Sequence, residues 1–266
     1  MNEITQKETA CRTLTSLQST GRIGRSTLKQ GLISWFSFAG IEFNAIDADP
    51  EHHTLSYWYP DIADKKPYRD EQDLLPILNT VGEAAVQLID FPSQETQSLV
   101  RAFEHFNALK LFSAKNTRLT IFIFASDERA AMLSAHQIIT AFDSHADYVI
   151  VENPARFTSQ VFYRSKLPEI LREFNAPTLQ IPRITATTLG ILDDASKRMK
   201  KALAFREAEP ILEIGSQFEL EHWRNRLFAQ FEDIADLLLP SLDLIQKKVE
   251  RPKQKKLVAA MDPYEL

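Results

Sequence analysis

Apolar residues along the chain fall into short runs, each followed by a longer stretch in which they recur at helical spacing. The run 119–124 is almost continuously apolar, whereas Leu28, Leu32, Trp35 and Phe36 share one face of a helix. Strands are predicted over residues 12–18, 42–46, 84–89, 119–124, 148–151 and 178–181. Helices are predicted over residues 28–39, 70–80, 94–112, 128–142 and 160–174, and residues 52–66 are predicted to form a loop.

The alternation of short strands with helices indicates how the strands pair. Parallel strands need a long crossover connection, which is most often a helix. We therefore predict an α/β fold with a doubly wound, mostly parallel sheet, followed by a helical C-terminal region. In such sheets, ligands bind outside the carboxyl ends of the strands.

The pattern changes after Arg183, and this change sets the predicted domain boundaries. Residues 1–11 are predicted to be a flexible leader and residues 12–183 an α/β core. Residues 184–249 are predicted to form helices packed on that core, and residues 250–266 a basic tail.

The loop after the first predicted strand carries the sequence TGRIGRST over residues 20–27. Glycines such as Gly21 and Gly24 let backbone N–H groups turn inward around phosphates, and the following helix N-terminus adds positive charge. Ser26 or Thr27 supplies the hydroxyl that such loops use toward Mg²⁺. Arg25 stands where a lysine is usual, and its planar guanidinium binds phosphate as a fork. The alternative is a plain turn in which Ser26 caps the helix.

Polar side chains follow three further predicted strands at the points where those strands end. Asp47 and Asp49 belong to the segment DADP, Asp90 precedes Phe91-Pro92, and Asn153 precedes Pro154. Their convergence at one edge of a parallel sheet favours a ligand site. Each also has a simpler interpretation, since Asp and Asn frequently cap helices or begin turns.

Taken in order, these motifs resemble those of the ParA/MinD family of deviant Walker-A ATPases, which includes ParA-like accessory proteins of conjugative plasmids. The resemblance covers about residues 12–183. The chain departs from the family pattern at the signature lysine, the second glycine and the main lysine, where it has Thr20, Arg22 and Arg25. In the family a glycine usually follows the segment that corresponds to Asp90-Phe91-Pro92, and this chain has Ser93 and Gln94 there.

The resemblance implies ATP and Mg²⁺ as ligands, and a homodimer. It assigns Asp49 to orienting the attacking water, Asp47 and Ser26 to the metal, and Asp90 to holding Mg²⁺ through water. Asn153 would contact the adenine edge. Arg25 would stabilise charge on the transferred phosphoryl group. The implied phosphate-binding residues are Gly21, Arg22, Gly24, Arg25, Ser26 and Thr27.

Three functions are compatible with these residues. The first is a ParA/MinD-like switch that binds ATP–Mg²⁺, hydrolyses it weakly or slowly, and serves plasmid or mobile-element maintenance, transfer or positioning. The second is a pseudo-ATPase scaffold or binding module that keeps the fold and has lost hydrolysis. A P-loop kinase or small-molecule ligase is the third, although no substrate-specific motif supports it.

Composition excludes some classes of protein and leaves others open. The net charge of -5 argues against a wholly basic nucleic-acid binder. The single cysteine, Cys11, excludes an internal disulfide and suggests a small packed residue in a reducing, cytoplasmic environment. No apolar run is long enough for a membrane span, and the N-terminal residues lack the apolar region of a secretory signal.

Two surface features suggest partners. The aromatic cluster Tyr57, Trp58 and Tyr59 is either a protein-contact surface or the edge of the core. Basic residues near the C-terminus either contact DNA phosphates or an anionic membrane, or are simply solvated. These residues are Lys197, Arg198, Lys200, Lys201 and the basic tail. His52 and His53 have no third ligand at a recognisable spacing, so we predict no zinc site there.

Overall fold

The computed structural model describes residues 11–93, 95–191 and 212–240. Within these ranges, seven strands form one sheet in the order β3-β2-β4-β1-β5-β6-β7, and every neighbouring pair is parallel. The strands are β1 Cys11–Thr15, β2 Phe43–Asp47, β3 Ala63–Lys65, β4 Val86–Asp90, β5 Thr117–Phe124, β6 Ala146–Glu152 and β7 Thr178–Gln180.

Helices connect the strands and continue beyond the sheet. They are α1 Arg25–Ala39, α2 Thr54–Trp58, α3 Leu74–Leu78, α4 Thr96–His105, α5 Ala108–Ala114, α6 Arg129–Phe142, α7 Gln160–Arg164, α8 Leu167–Glu173, α9 Ile214–Asp233 and α10 Ala235–Leu238. Short 3-10 turns lie at Glu71–Asp73 and Asp143–His145. The predicted doubly wound, parallel α/β fold with a helical C-terminal region is confirmed.

The prediction was wrong in several details. Residues 52–66 are not a loop, since they contain α2 and β3. The helix predicted over 94–112 breaks at Asn107, whose φ of 51° is left-handed. The helix predicted over 160–174 breaks before Pro168, which lacks the N–H that would continue it.

The two faces of the sheet bury separate hydrophobic clusters because strand side chains alternate in direction. On β5, Phe122 and Phe124 belong to one cluster, whereas Ile121 and Ile123 belong to the other. Helices cover both faces, so the strands are apolar on both sides.

Helix α9 packs on α1 and covers one of these clusters. The ring of Phe231 lies 5.5 Å from that of Trp35. A Cβ on Gly31 would lie 2.5 Å from Cδ2 of Leu227, so the absent side chain permits this close approach. The indole N–H of Trp223 donates to the carbonyl of Pro182 at 2.7 Å. The C-terminal helix is therefore joined to the α/β core; the domain boundaries themselves stay a prediction.

A buried charge network lies at the amino end of β1. The guanidinium of Arg12 donates to the carboxylate of Asp147 and to Thr120 Oγ1 at 3.0 Å. It also donates to the carbonyl of Asp236 at 2.7 Å and to that of Leu239 at 3.3 Å. One buried side chain thus joins three neighbouring strands to the end of the C-terminal helices.

Candidate functional site

The loop between β1 and α1 is anchored to the rest of the sheet at its first residues. The amide of Gln18 donates to the carbonyls of Phe124 and Ala131, each at 3.1 Å. The backbone N–H of Ser19 donates to Ser134 Oγ at 3.1 Å. The base of the loop is therefore rigid, because each contact joins it to β5 or α6.

The middle of the loop turns through two left-handed backbone positions. Arg22 has a φ of 61° and Gly24 a φ of 110°, both in the left-handed region. This explains why the ParA/MinD pattern has glycine at the position of Arg22, since a side chain there is strained. Helix α1 begins at Arg25 with no side-chain cap and no acidic residue in its first turn. Ser26 lies inside the helix and does not cap it, so the capping role given to Ser26 in the plain-turn alternative is wrong.

Gly24→Ala is expected to lower the free energy of unfolding by about 1–3 kcal/mol, because alanine is strained at a left-handed φ. A Cβ there would also lie 3.2 Å from Cδ1 of Ile181 and closer still to the Asn153 amide. Urea unfolding measures the loss. Gly21→Ala is the matched control, since its nearest neighbour would be Ser93 Oγ at 4.0 Å. Equal effects of the two substitutions would contradict the strained-loop geometry.

Strand register brings together two of the predicted carboxylates. β2 and β4 pair so that Asp47 and Asp90 are direct cross-strand partners at the carboxyl ends of both strands. Both side chains are buried, at 0% and 6% exposure. The sheet thus holds two carboxylates side by side next to the loop.

The carboxylate of Asp47 is engaged by backbone N–H groups. It accepts from Asp49 at 3.2 Å and from Ser56, in the first turn of α2, at 2.7 Å. Asp49 in turn accepts from the N–H groups of Glu51 and His52 at 2.9 and 3.0 Å. Partial burial by itself would raise the pKa of Asp49, but these hydrogen bonds outweigh it and lower the pKa below its ordinary value. Both aspartates therefore shape the segment after β2.

Asp90 pairs with a residue that the sequence analysis did not single out. The ammonium of Lys29 on α1 donates to Asp90 Oδ1, and Lys29 is only 1% exposed. Burial lowers the pKa of Lys29, whereas the charge of Asp90 opposes that shift. A signal for Lys29 was present in the sequence, since Arg25 and Lys29 are the charged residues of α1 and lie one helical turn apart.

Arg25 lies beneath the loop, between the carbonyl oxygens of Gln18 and Phe91. Its Nη1 is 3.5 Å from each oxygen, so both contacts are long hydrogen bonds. Burial lowers the pKa of Arg25, and the charges of Asp90 and Asp49 oppose the shift. The guanidinium is thus held by weak contacts at the start of α1, where it has donors left for an anion.

Asn153 holds the loop against β6. Its amide nitrogen donates to the carbonyl of Ile23 at 3.0 Å. The backbone carbonyl of Asn153 accepts hydrogen bonds from the N–H groups of Arg156 and Phe157, and these bonds form a turn after β6. The structure therefore gives Asn153 a positioning contact with the loop, and adenine recognition by this residue stays a prediction.

A cavity of about 280 Å³ opens between the segments that follow β2, β3 and β4. Its walls include Asp49, Tyr68, Arg69, Ser93 and Glu95. Of these residues only Asp49 was predicted as a site residue, because the others come from separate loops that only the fold brings together. The hydroxyl of Thr20 nearby is buried and has no protein partner among the described residues.

The two predicted partner surfaces are the aromatic cluster at residues 57–59 and the basic residues near the C-terminus. Tyr59 is only 7% exposed and packs in the core, which fits the core-edge interpretation of the aromatic cluster for this residue. Tyr57 is 57% exposed and packs edge-on against the half-buried Trp58 at 5.4 Å. The basic residues between 197 and 201 and the basic tail lie outside the described residues.

Other sequence predictions concern membranes, metals and the cysteine. None of the described helices is long and apolar enough to span a membrane. No group of three or more acidic, histidine or cysteine side chains suited to a metal ion occurs among the described residues. Cys11 is a free thiol at the start of β1, and partial burial raises its pKa.

Comparison with solved structures finds similar folds at low sequence identity. The nucleotide-binding protein from Archaeoglobus fulgidus, in complex with ADP, is 18% identical over 68% of this chain and 84% of that one, with a TM-score of 0.44. The MinC:MinD cell division complex of Aquifex aeolicus is 14% identical over 83% and 96%, with a TM-score of 0.45. Chloroplast FtsY from Physcomitrella patens is 14% identical over 69% and 62%, with a TM-score of 0.45.

No family model matches the chain, and no curated protein matches it in sequence. Likenesses at these identities and TM-scores carry no argument about activity. The fold rests instead on the parallel strand order, on the glycine-bearing loop after β1 and on the helix that follows it. By these features the chain has a doubly wound, parallel α/β fold with a glycine-bearing loop between β1 and α1, and its motifs resemble those of the ParA/MinD proteins.

Proposed function

We propose that the chain is a ParA/MinD-like switch protein that binds the phosphate chain of ATP in the loop 20–27. The observation that carries the proposal is the loop itself, which turns left-handed at Arg22 and Gly24 and ends in an uncapped helix N-terminus. Such a terminus attracts anions through its unpaired N–H groups and its dipole. Arg25 adds a guanidinium at the same end of α1, and the unpartnered hydroxyl of Thr20 adds a further polar group.

The proposed conformational change takes place at the cavity between the segments that follow β2, β3 and β4. Asp49 lies in its wall, and the segment that follows is held by hydrogen bonds to Asp47 and Asp49. A γ-phosphate at this position would rearrange that segment, and the exposed Tyr57 on the adjoining α2 would transmit the change to a partner. Hydrolysis is slow in this proposal, because a guanidinium replaces the usual lysine and positions phosphate differently.

The cellular role proposed from the motif resemblance is plasmid or mobile-element maintenance, transfer or positioning, with a homodimer as the nucleotide-bound form. A pseudo-ATPase scaffold is the second candidate. It is favoured by the pairing of Asp90 with Lys29, which engages the carboxylate expected to work in hydrolysis.

Binding of a fluorescent ATP analogue tests the proposal. Wild type is expected to bind at micromolar concentration, and Arg25→Ala at least about tenfold more weakly, since a charge-assisted hydrogen bond contributes about 1.5–3 kcal/mol. Asp49→Ala is expected to retain binding, because the Asp49 carboxylate is engaged by the backbone N–H groups of Glu51 and His52. The matched control is Arg172→Ala, an exposed arginine on α8.

The rate of ATP hydrolysis, measured on wild type and on Arg25→Lys, distinguishes the switch from the pseudo-ATPase scaffold. Arg25→Lys is expected to raise the rate if the arginine limits an otherwise competent site. Absence of binding at millimolar nucleotide would refute the switch and leave the scaffold.

A further inference from the structure

The motif resemblance implies Mg²⁺ with Ser26, Asp47 and Asp90 as its holders, and the geometry allows a test of that set. Mg²⁺ requires near-octahedral oxygen ligands and usually one or two carboxylates with free oxygen atoms. The two oxygens of Asp47 accept backbone N–H groups from Asp49 and Ser56. Asp90 accepts the Lys29 ammonium. Both oxygens of Asp47 and the Oδ1 atom of Asp90 are thus already engaged, and the group at Asp90 is itself a buried cation, so the residues do not fit the ion.

Lys29 reaches this place because of its position on α1. It lies one turn after Arg25, and residues four apart share a helix face. Its alkyl chain is enclosed by the sheet and α1, and its ammonium meets the carboxyl end of β4. The side chain therefore places one positive charge where the two carboxylates converge.

A divalent ion that binds Asp90 through Oδ1 would have to displace this ammonium. The displaced group would remain buried without its counter-ion and close to both Arg25 and the metal. Removing one partner of a buried ion pair leaves an uncompensated charge, which is strongly unfavourable. The pair therefore competes with a metal directly, in addition to filling its space.

We propose that the Lys29 ammonium takes the place of Mg²⁺ in this site, so that the loop binds the phosphate chain of a nucleotide without a divalent cation. This inference rests on the proposed nucleotide function. The positive charge facing the phosphates then comes from Arg25, Lys29 and the α1 N-terminus. Slow hydrolysis would follow, because the charge stabilisation that a metal ion supplies during phosphoryl transfer would be missing.

The first test is the affinity of wild type for the fluorescent ATP analogue in EDTA and in excess Mg²⁺. We expect the two dissociation constants to agree within about tenfold. Binding that requires Mg²⁺, with a larger loss in EDTA, would overturn the inference and leave the proposed function standing. This comparison uses wild type alone, so it holds even if a variant fails to fold.

The second test needs no nucleotide. Mn²⁺ binding followed by electron paramagnetic resonance is expected to be absent in wild type and to appear in Lys29→Ala, where Asp90 is released. Lys29→Ala combined with Asp90→Asn is expected to lose it again. Lys110→Ala, an exposed lysine on α5, is the matched control and should behave as wild type.

The two tests distinguish the possible failures. Stoichiometric Mn²⁺ binding by wild type that disappears in Asp90→Asn would overturn the inference. So would a folded Lys29→Ala protein that binds no Mn²⁺. Failure to bind nucleotide under either condition, together with Mn²⁺ binding gained in Lys29→Ala, would refute the switch and still support Lys29 as the group that excludes the metal.

Discussion

Lys29→Met is expected to lower the free energy of unfolding by about 3–5 kcal/mol, because it leaves Asp90 buried without its counter-ion. Asp90 is 6% exposed, and its hydrogen bond from Lys29 would be lost. Methionine keeps an unbranched side chain of similar length, so packing changes little and the lost charge dominates. Urea unfolding followed by tryptophan fluorescence measures the difference.

A double-mutant cycle isolates the pair from other effects of the substitution. Asp90→Leu alone leaves the Lys29 ammonium buried and unpaired, and should cost a similar amount. The combined variant removes both charges and should recover much of the loss, since apolar replacement of a buried ion pair is often neutral. Losses that simply add, or a Lys29→Met protein as stable as Lys110→Met, would contradict the pairing.

Asp147→Asn is expected to destabilise the protein by about 3 kcal/mol, because Arg12 is buried and would lose its charged partner. Arg12 is 5% exposed, and Asp147 also accepts from Arg118 at 2.8 and 3.1 Å. Burial alone would raise the pKa of Asp147, but the hydrogen bond from Arg118 and the charge of Arg12 lower it overall. Thermal unfolding at pH 7 measures the effect.

The pH dependence follows from the sign of that shift. A carboxyl whose folded pKa lies below its unfolded value near 3.8 stabilises the fold above that value. The stabilisation is lost as the pH falls through the folded pKa. The difference between wild type and Asp147→Asn should therefore shrink below about pH 4. Arg118→Ala is the control and should cost less, since its side chain is 37% exposed. A difference independent of pH would show that ionisation of Asp147 is irrelevant.

The sequence predicted the elements whose pattern is strong. Continuous apolar runs such as 119–124 identified central strands, because both faces of a parallel sheet are buried. The edge strand Ala63–Lys65 was missed because two of its three residues are exposed and charged. Breaks at Asn107 and before Pro168 were missed because apolar spacing continues across both, although the backbone does not.

The candidate site was predicted as a set of residues and not as a set of contacts. Asp47, Asp90 and Asn153 were identified because they follow strands, and the structure places all three near the loop. Their present partners could not be predicted. Asp47 binds the N-terminus of α2, in a stretch predicted to be a loop, and Asn153 binds a carbonyl of the loop itself.

By itself, the sequence determined the alternation of strands and helices, the flexible points Gly21 and Gly24, and the order of polar groups at strand ends. These are local properties, fixed by backbone sterics and hydrophobic spacing. Only the tertiary structure decided that Lys29 reaches Asp90, because that contact joins residues 61 positions apart through the docking of α1 on the sheet. A long, flexible side chain such as that of Lys29 takes one position only when its surroundings bury it and restrict the conformations that it can adopt.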